Sequence, residues 1–576
     1  MARARAERSH LVLVNHAFAL ARQNFLKHVV FDECEHLHDQ AHNAWSHTLA
    51  PRAVGELAAR LRGGTGRGRA LFERIERAVP GGRGRLEPCD RALAEVREGL
   101  RALDAALAGY RAWRTDVRAT REERDEHALL REFVERRDEI ALAPPLLEAR
   151  VRLAKAMTAL EGALSTLAAD TEVLPGRGLP RLRRALELTR GDVLEQLAAL
   201  EAWIPMVDGV PALRAETFHD VEEDARGRDL LAARVLLPNE FLGRYYHPQL
   251  ESAVFLSATT WIQGGFESAM GYLGLDRAAE PAPDEEREPC RVRSFRAPEV
   301  FDYSRVLVGV PKDAPEPRQK EAWLAFVRRF VAHLGERTRG RMLVLFTNAE
   351  ELKRVGEGLA GHFRARHVPL WWQGMPGVAK EELPRLFRAR TDSVLMGLDT
   401  FWFGADFPGE TLEYLVLARL PYGVPDRYHH AQCAALGSGA QRKRIYMPRA
   451  LAKLRQGFGR LMRRVDDKGC VFLLDRRVLD PRHRAFLREM PLAAGLDGPD
   501  SAHRGEGARL VVAPTDEVVR AGLAHMGMLS DVRRRGLESG FDAQASAVRE
   551  ELSAYELPRR RLEPEVLDIP PEDVPF

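Results

Sequence analysis

Between residues 293 and 490 short apolar runs alternate with amphipathic segments, and that alternation constrains the fold more than any other property of the sequence. The runs are Val306 to Val310, Met342 to Phe346, Pro369 to Gln373, Val394 to Leu398, Leu412 to Leu417 and Val471 to Leu474. Runs that are apolar along most of their length, rather than at alternate positions, predict strands buried on both faces. Strands separated by helices need crossovers, so the sheet is predicted to be parallel and doubly wound, in the α/β class. Loops at the carboxyl ends of such strands are where a ligand is met.

A shorter pattern of the same kind opens the chain. Leu11-Val12-Leu13-Val14 reads as a strand closed by Asn15 and His16, Ala17 to Leu26 as a helix, and Val29-Val30-Phe31 as a second strand closed by Asp32 and Glu33. The pattern resumes at Ala253 to Leu256, which runs into Ser257-Ala258-Thr259-Thr260. From about residue 49 to 235 the chain changes to long Arg/Glu/Ala/Leu segments such as Ala92 to Val117 and Leu146 to Leu167, with glycine-rich breaks near 63–68 and 81–84. This spacing predicts an all-helical insertion. The expected organisation is therefore a first α/β lobe in two pieces, 1–48 and 236–276, around a helical insertion at 49–235. A Pro-, Glu- and Asp-rich linker at 277–292, a second lobe at 293–490 and a tail at 491–576 follow. The tail ends with the composition of a disordered segment. Two strands before the insertion leave the first sheet incomplete, so more of it is expected upstream.

At 576 residues the chain exceeds what one core can hold. Lys+Arg 87 against Asp+Glu 84 gives a net charge of only +3, which does not by itself announce a nucleic-acid binder. The five cysteines, Cys34, Cys89, Cys290, Cys433 and Cys470, form no Cys-x-x-Cys pair and point to a reducing compartment. No apolar run approaches the ~18 residues of a membrane span, and the opening residues lack the apolar core of a signal peptide. A cytoplasmic protein with no membrane partner is expected.

Two carboxylates at a strand end, Asp32 and Glu33, suit an acid that holds Mg²⁺ and a neighbour that orients water; they equally suit a plain helix N-terminus. Gln456, Arg460 and Arg463 recur at spacings of four and three, which predicts one helix face carrying two guanidinium groups suited to polyphosphate. A surface arginine stripe is the alternative. His38 and His42, four apart beside His36, His47 and Asp39, loosely echo a zinc site without an evident third ligand.

Taken in order, these strand-end motifs resemble the XPD/DinG branch of superfamily 2 DNA helicases. The resemblance rests on Leu13-Val14-Asn15-His16-Ala17, Phe31-Asp32-Glu33, Phe255 to Thr259, Val344 to Asn348, Trp372-Gln373-Gly374, Gly397 to Gly409 and Gln456 to Arg463, and covers about 8–48 and 236–490. It implies two RecA-like lobes, the first incomplete, with an arch-like helical insertion. It further implies ATP-dependent 5′ to 3′ translocation on single-stranded or forked DNA. By resemblance Asp32 holds Mg²⁺ with ATP, Glu33 orients water, and Gln456, Arg460 and Arg463 reach ATP from the second lobe. Ser257, Thr259 and Asp406 couple nucleotide to DNA, and Asn15, His16, Thr347, Phe401 and Trp402 meet DNA. Phe401 and Trp402 have a core role as their alternative.

Departures from the family pattern accompany the match. No G-x-x-x-x-G-K-[ST] loop occurs in the sequence, and the four cysteines of the family's 4Fe-4S cluster are not present. Where the family has Asp-Glu-Ala-His, this chain has Asp32-Glu33-Cys34-Glu35, and Phe403 stands where Glu is usual. A carboxylate at position 35 is expected to repel phosphates. The expectation is a DinG-type helicase whose N-terminal portion lies upstream or in a separate chain. The alternative is a non-catalytic DNA-binding remnant or partner subunit.

Overall fold

The computed structural model describes residues 9–21, 26–63, 70–119, 144–172, 179–212, 216–224, 226–280, 288–398, 401, 407, 409–423, 428, 431–432, 435–436, 439–493 and 507–541. In chain order its main elements begin with helix α1 (His16–Ala21), strand β1 (His28–Phe31), helix α2 (Leu37–Trp45) and strand β2 (His47–Leu49). Helices α3 (Pro51–Leu61), α4 (Leu71–Ala78), α5 (Gly82–Ala119), α6 (Pro144–Glu172) and α7 (Leu179–Trp203) follow. Strands β3 (Thr217–Glu223), β4 (Asp229–Val235) and β5 (Ser252–Phe255) and helix α8 (Glu267–Tyr272) lead to the second lobe. That lobe comprises β6 (Val306–Pro311), α9 (Lys320–Thr338), β7 (Met342–Leu345), α10 (Ala349–Ala365), β8 (Leu370–Trp372), β9 (Val394–Gly397) and β10 (Tyr414–Leu417). It continues with α11 (Gly439–Phe458), β11 (Gly469–Leu473), β12 (Arg509–Ala513) and α12 (Thr515–His525).

The second lobe is a seven-stranded sheet in the order β8-β9-β7-β10-β11-β6-β12, with every pairing parallel. All residues of β6, β7, β9, β10 and β11 are buried, which is why their sequences run apolar without alternation. One face packs Val344, Val416 and Phe472 against Trp323, Phe330 and Phe363. The other packs Leu345, Leu417 and Leu473 against Leu451, Leu454 and Phe458 of α11.

In the first lobe β1 pairs in parallel with β5, His28 opposite Ser252 through Phe31 opposite Phe255, and this two-stranded sheet has no further strand among the described residues. One face packs Phe31 and Phe255 with Ala19, Leu37, Tyr246 and Leu273. The other presents Val30 at 63% exposure, with Val254 and Leu256 beside it also exposed.

The insertion is an antiparallel helical body whose core joins Leu93, Leu103, Leu107, Leu153, Leu160, Leu164 and Trp203. Gly99 permits the closest approach of α5 to α6, since a Cβ there would lie 3.0 Å from the Leu153 Cα.

Several sequence expectations are corrected. Leu11 to Val14 is not a strand: Leu11 and Leu13 are 79% and 90% exposed, and among the described residues no neighbouring strand satisfies their backbone. The stretch 49–235 is not all helix, because β2, β4 and β3 form a three-stranded antiparallel sheet. The second lobe extends past 490 into the tail, where β12 joins the second sheet beside β6 and α12 packs on it. Residues 281–287 of the linker and 542–576 of the tail lie outside the described residues.

Candidate functional site at the interlobe cleft

The cleft is built from the carboxyl ends of β1 and β5 on one side and helix α11 on the other. Asp32 and Glu33 follow β1 directly and are both exposed. The Glu33 amide donates to Asp32 Oδ1 at 3.1 Å. Glu33 sits at φ 49°, ψ 48°, a left-handed conformation that L side chains adopt at a cost and that recurs at functional turns. Neither carboxylate is ion-paired among the described residues, so both remain open to a cation.

The next residue turns inward. The Cys34 amide donates to the Leu256 carbonyl at 3.0 Å, which ties the loop after β1 to the end of β5. Burial, with the neighbouring Glu35 carboxylate, pushes the Cys34 thiol up to about 12, so it stays protonated at neutral pH. After β5, Ser257 and Thr259 close a tight turn: the Thr259 amide donates to Ser257 Oγ at 2.9 Å, and the two hydroxyls are 3.0 Å apart.

Glu35 is the residue through which the lobes meet. Gln456 Nε2 on α11 donates to Glu35 Oε1 at 2.8 Å. The second Glu35 oxygen is buried with no hydrogen-bond partner among the described residues. The carboxylate expected to repel phosphates is thus held by an amide across the cleft, where a charge-assisted hydrogen bond is worth about 1.5–3 kcal/mol. A cavity of about 300 Å³ opens beside this contact, lined by Glu35, Asp39, Thr259, Tyr272, Arg449 and Gln456 among others.

Gln456, Arg460 and Arg463 do not share one helix face. Helix α11 ends at Phe458, and Arg460 is 8% exposed in the turn that follows. The Arg463 and Arg464 amides both donate to Asp467 Oδ2 at 2.7 Å, which fixes a loop. Gly457 and Gly459 lower helix propensity there, and Asp467 captures the freed amides.

The remaining candidates separate. Asn15 Oδ1 accepts from the Phe18 amide at 2.8 Å and so caps α1, and the His16 ring packs 5.9 Å from Phe31. Thr347 is half-buried at the carboxyl end of β7, beside Asn348, which caps α10. Phe401 offers no face to a base: it is 1% exposed, and its ring lies on Gly397, where no Cβ would fit. Trp402 and Asp406 lie outside the described residues.

His38 and His42 both lie on α2, yet Arg449 donates to His38 Nδ1 at 3.0 Å, and Arg234 Nη1 lies 3.5 Å from His42 Nε2. Two guanidinium groups there oppose a bound cation, and no cluster of three metal-ligating side chains occurs among the described residues.

A doubly wound parallel lobe facing an acid pair across a hydrogen-bonded cleft defines a two-lobed α/β chain. The model of the helicase C-terminal domain matches residues 331–492. The chain is 29% identical over 291 residues to "3'-5' exonuclease DinG" of Bacillus subtilis, covering 49% of this chain and 30% of that protein. It is 29% identical over 244 residues to "ATP-dependent DNA helicase YoaA" of Haemophilus influenzae, covering 41% and 35%. It is 26% identical over 311 residues to "ATP-dependent DNA helicase DinG" of Photobacterium profundum, covering 53% and 43%. The chain thus spans less than half of the length of each of these relatives. A solved structure described as "XPD_APO" covers 84% of this chain and 76% of its own at 13% identity and a TM-score of 0.41, a likeness too low to argue from. Residues 331–492 thus match a helicase C-terminal domain, and the chain is similar over about half its length to relatives named DinG and YoaA. Among the described residues no helix is long and apolar enough to cross a membrane.

Proposed function

We propose that the chain forms part of a DinG-type ATP-dependent DNA helicase that moves 5′ to 3′ on single-stranded DNA. The observation that carries this reading is the Gln456–Glu35 hydrogen bond, which joins the strand-end acid segment of the first lobe to the second. Asp32 and Glu33 fit Mg²⁺, being exposed, adjacent and without a competing cation; Mg²⁺ takes one or two carboxylates and keeps the rest of its shell for water and phosphate. Bound there with ATP, the ion supplies charge neutralisation at the phosphates. Asp32 holds it, Glu33 accepts a proton from the attacking water, and Arg460 and Arg463 neutralise charge from the second lobe. Glu35, Gln456 and the Ser257–Thr259 turn carry the state of that site to the DNA-facing loops, with Thr347 and Trp402 as DNA contacts and Asp406 in the coupling loop.

The phosphate-binding loop is absent from this sequence, so in this reading a segment outside these residues supplies it, upstream or on a separate chain. The exposed Val30, Val254 and Leu256 give that segment a place to pack, since parallel strands are ordinarily covered on both faces. The same absence favours the second reading, a non-catalytic single-strand-binding subunit. Strand displacement separates them: forked duplexes with only a 5′ or only a 3′ single-stranded tail are incubated with the protein purified from its own cells and with MgATP. Unwinding of the 5′-tailed substrate alone is expected. Unwinding from the 3′ tail, or binding without unwinding, overturns the proposal.

A further inference from the structure

Beside the Gln456–Glu35 contact lies a second connection between the lobes that the motif assignments do not include. Arg449 of α11 reaches over to α2 and α8. Its Nη2 donates to His38 Nδ1 at 3.0 Å and to Asp39 Oδ1 at 3.1 Å, and its guanidinium lies 5.5 Å from the centre of the Tyr272 ring. Tyr272 in turn stacks on His38, ring centres 4.3 Å apart and 15° from parallel. The receiving site is prebuilt. His38 is buried, and the Arg449 guanidinium beside the Asp39 carboxyl favours its ionised form.

We propose that Arg449 is an interlobe positioning residue: seated between His38, Asp39 and Tyr272, it fixes the angle at which α11 delivers Gln456 and Arg460 to the first lobe. The inference rests on the helicase reading for its consequence, though not for its geometry.

The argument is one of leverage. Gln456 and Arg449 are seven residues apart on one helix, about 10 Å along its axis at 1.5 Å per residue. Their acceptors, Glu35 and Asp39, are four residues apart. A single contact at Gln456 leaves the helix free to pivot, and two contacts fix its direction. The helix ends at Phe458, about 3 Å beyond the pivot. A slip of about 2 Å at Arg449 therefore moves that end, and the Arg460 turn that follows it, by about 0.6 Å, on the order of the misplacement that costs up to about 100-fold where phosphate contacts are in play. The Asp39 side chain is 60% exposed, so the ion pair adds little stability; what it contributes is register.

The test uses Arg449→Met, Arg449→Lys, Asp39→Asn and the Arg449→Met/Asp39→Asn double variant in the full chain, read first by hydrogen exchange. Arg449→Met is expected to speed amide exchange about five-fold in peptides covering 37–45 and 447–458, and to leave those of 320–338 unchanged. Arg449→Lys keeps part of the protection, and Asp39→Asn in the Arg449→Met background adds less than about two-fold. Where wild type hydrolyses ATP with DNA, Arg449→Met lowers kcat by about 10- to 100-fold with KM for ATP within about two-fold, and Arg449→Lys recovers part of it. Unchanged exchange in 37–45, additive effects of the two substitutions, or a KM change without a kcat change overturns the positioning role. Absence of ATP hydrolysis by wild type defeats the helicase reading instead, and the exchange data still decide the geometry.

Discussion

Replacing Phe401 with alanine distinguishes a DNA-stacking residue from a core residue at a position where the family resemblance and the structure disagree. The ring is 1% exposed, lies on Gly397, and belongs to the core formed by Leu345, Leu395, Leu417 and Leu454. Truncating a buried phenylalanine costs about 3–5 kcal/mol, as lost transfer energy plus the residual cavity. In a lobe of roughly 200 residues each kcal/mol lowers Tm by about 2–4 °C, so a fall of about 6–20 °C is expected in the transition of the second lobe. Base stacking predicts a different pattern: loss of about 1–3 kcal/mol of binding to single-stranded DNA, with little effect on Tm. Scanning calorimetry gives the first quantity, and fluorescence anisotropy with a labelled oligothymidylate, well below the transition, gives the second. A Tm shift under about 2 °C together with tenfold weaker DNA binding would refute the core assignment.

Further outcomes follow from the same geometry. Burial lowers His247 to about 4 while Nε2 donates to the Leu273 carbonyl at 2.7 Å, so the fold holds the neutral ring. Its contribution is complete above about pH 6.5 and is lost as pH falls toward 4, at most about 3 kcal/mol; His247→Gln, followed by urea unfolding at pH 7 and pH 5, should flatten the difference. Gly99→Val forces a side chain against the Leu153 backbone, and thermal unfolding should show about 1–3 kcal/mol of destabilisation confined to the insertion. Val30→Lys places a charge on the β1–β5 face offered to the proposed phosphate-loop segment and should lower ATP binding by the protein purified from its own cells, measured by equilibrium titration, without lowering the Tm of the second lobe.

The second lobe was legible because its strands are buried on both faces, so Val306 to Val310 and Val471 to Leu474 carry the signal in every residue. The antiparallel sheet in the insertion was not. Its strands Thr217–Glu223 and Asp229–Val235 carry Asp220, Glu222 and Arg234 among their apolar positions, and Arg234 pairs with Glu222 across them. Only the turn at Asp224 to Gly227, where the Arg226 and Arg228 amides donate to Asp224 Oδ1, marked a hairpin. Leu11 to Val14 departs in the opposite sense, apolar in sequence but without a neighbouring strand among the described residues. At the site, the spacing of Gln456, Arg460 and Arg463 was read as helix although two intervening glycines end it. No local pattern marks Gln456 as the partner of Glu35, since the two lie 421 positions apart. Nothing in local sequence marks Arg449, because its acceptors lie about 410 residues away.

The most direct test of the account is single-strand-stimulated ATP hydrolysis by the protein purified from its own cells, with whatever chain accompanies it, compared with Gln456→Ala. Loss of the hydrogen bond to Glu35 is worth about 1.5–3 kcal/mol, so stimulated turnover should fall about 10- to 100-fold while single-strand affinity stays within about two-fold. Hydrolysis indifferent to Gln456→Ala, or DNA binding with no hydrolysis in wild type, would contradict a motor coupled through that contact.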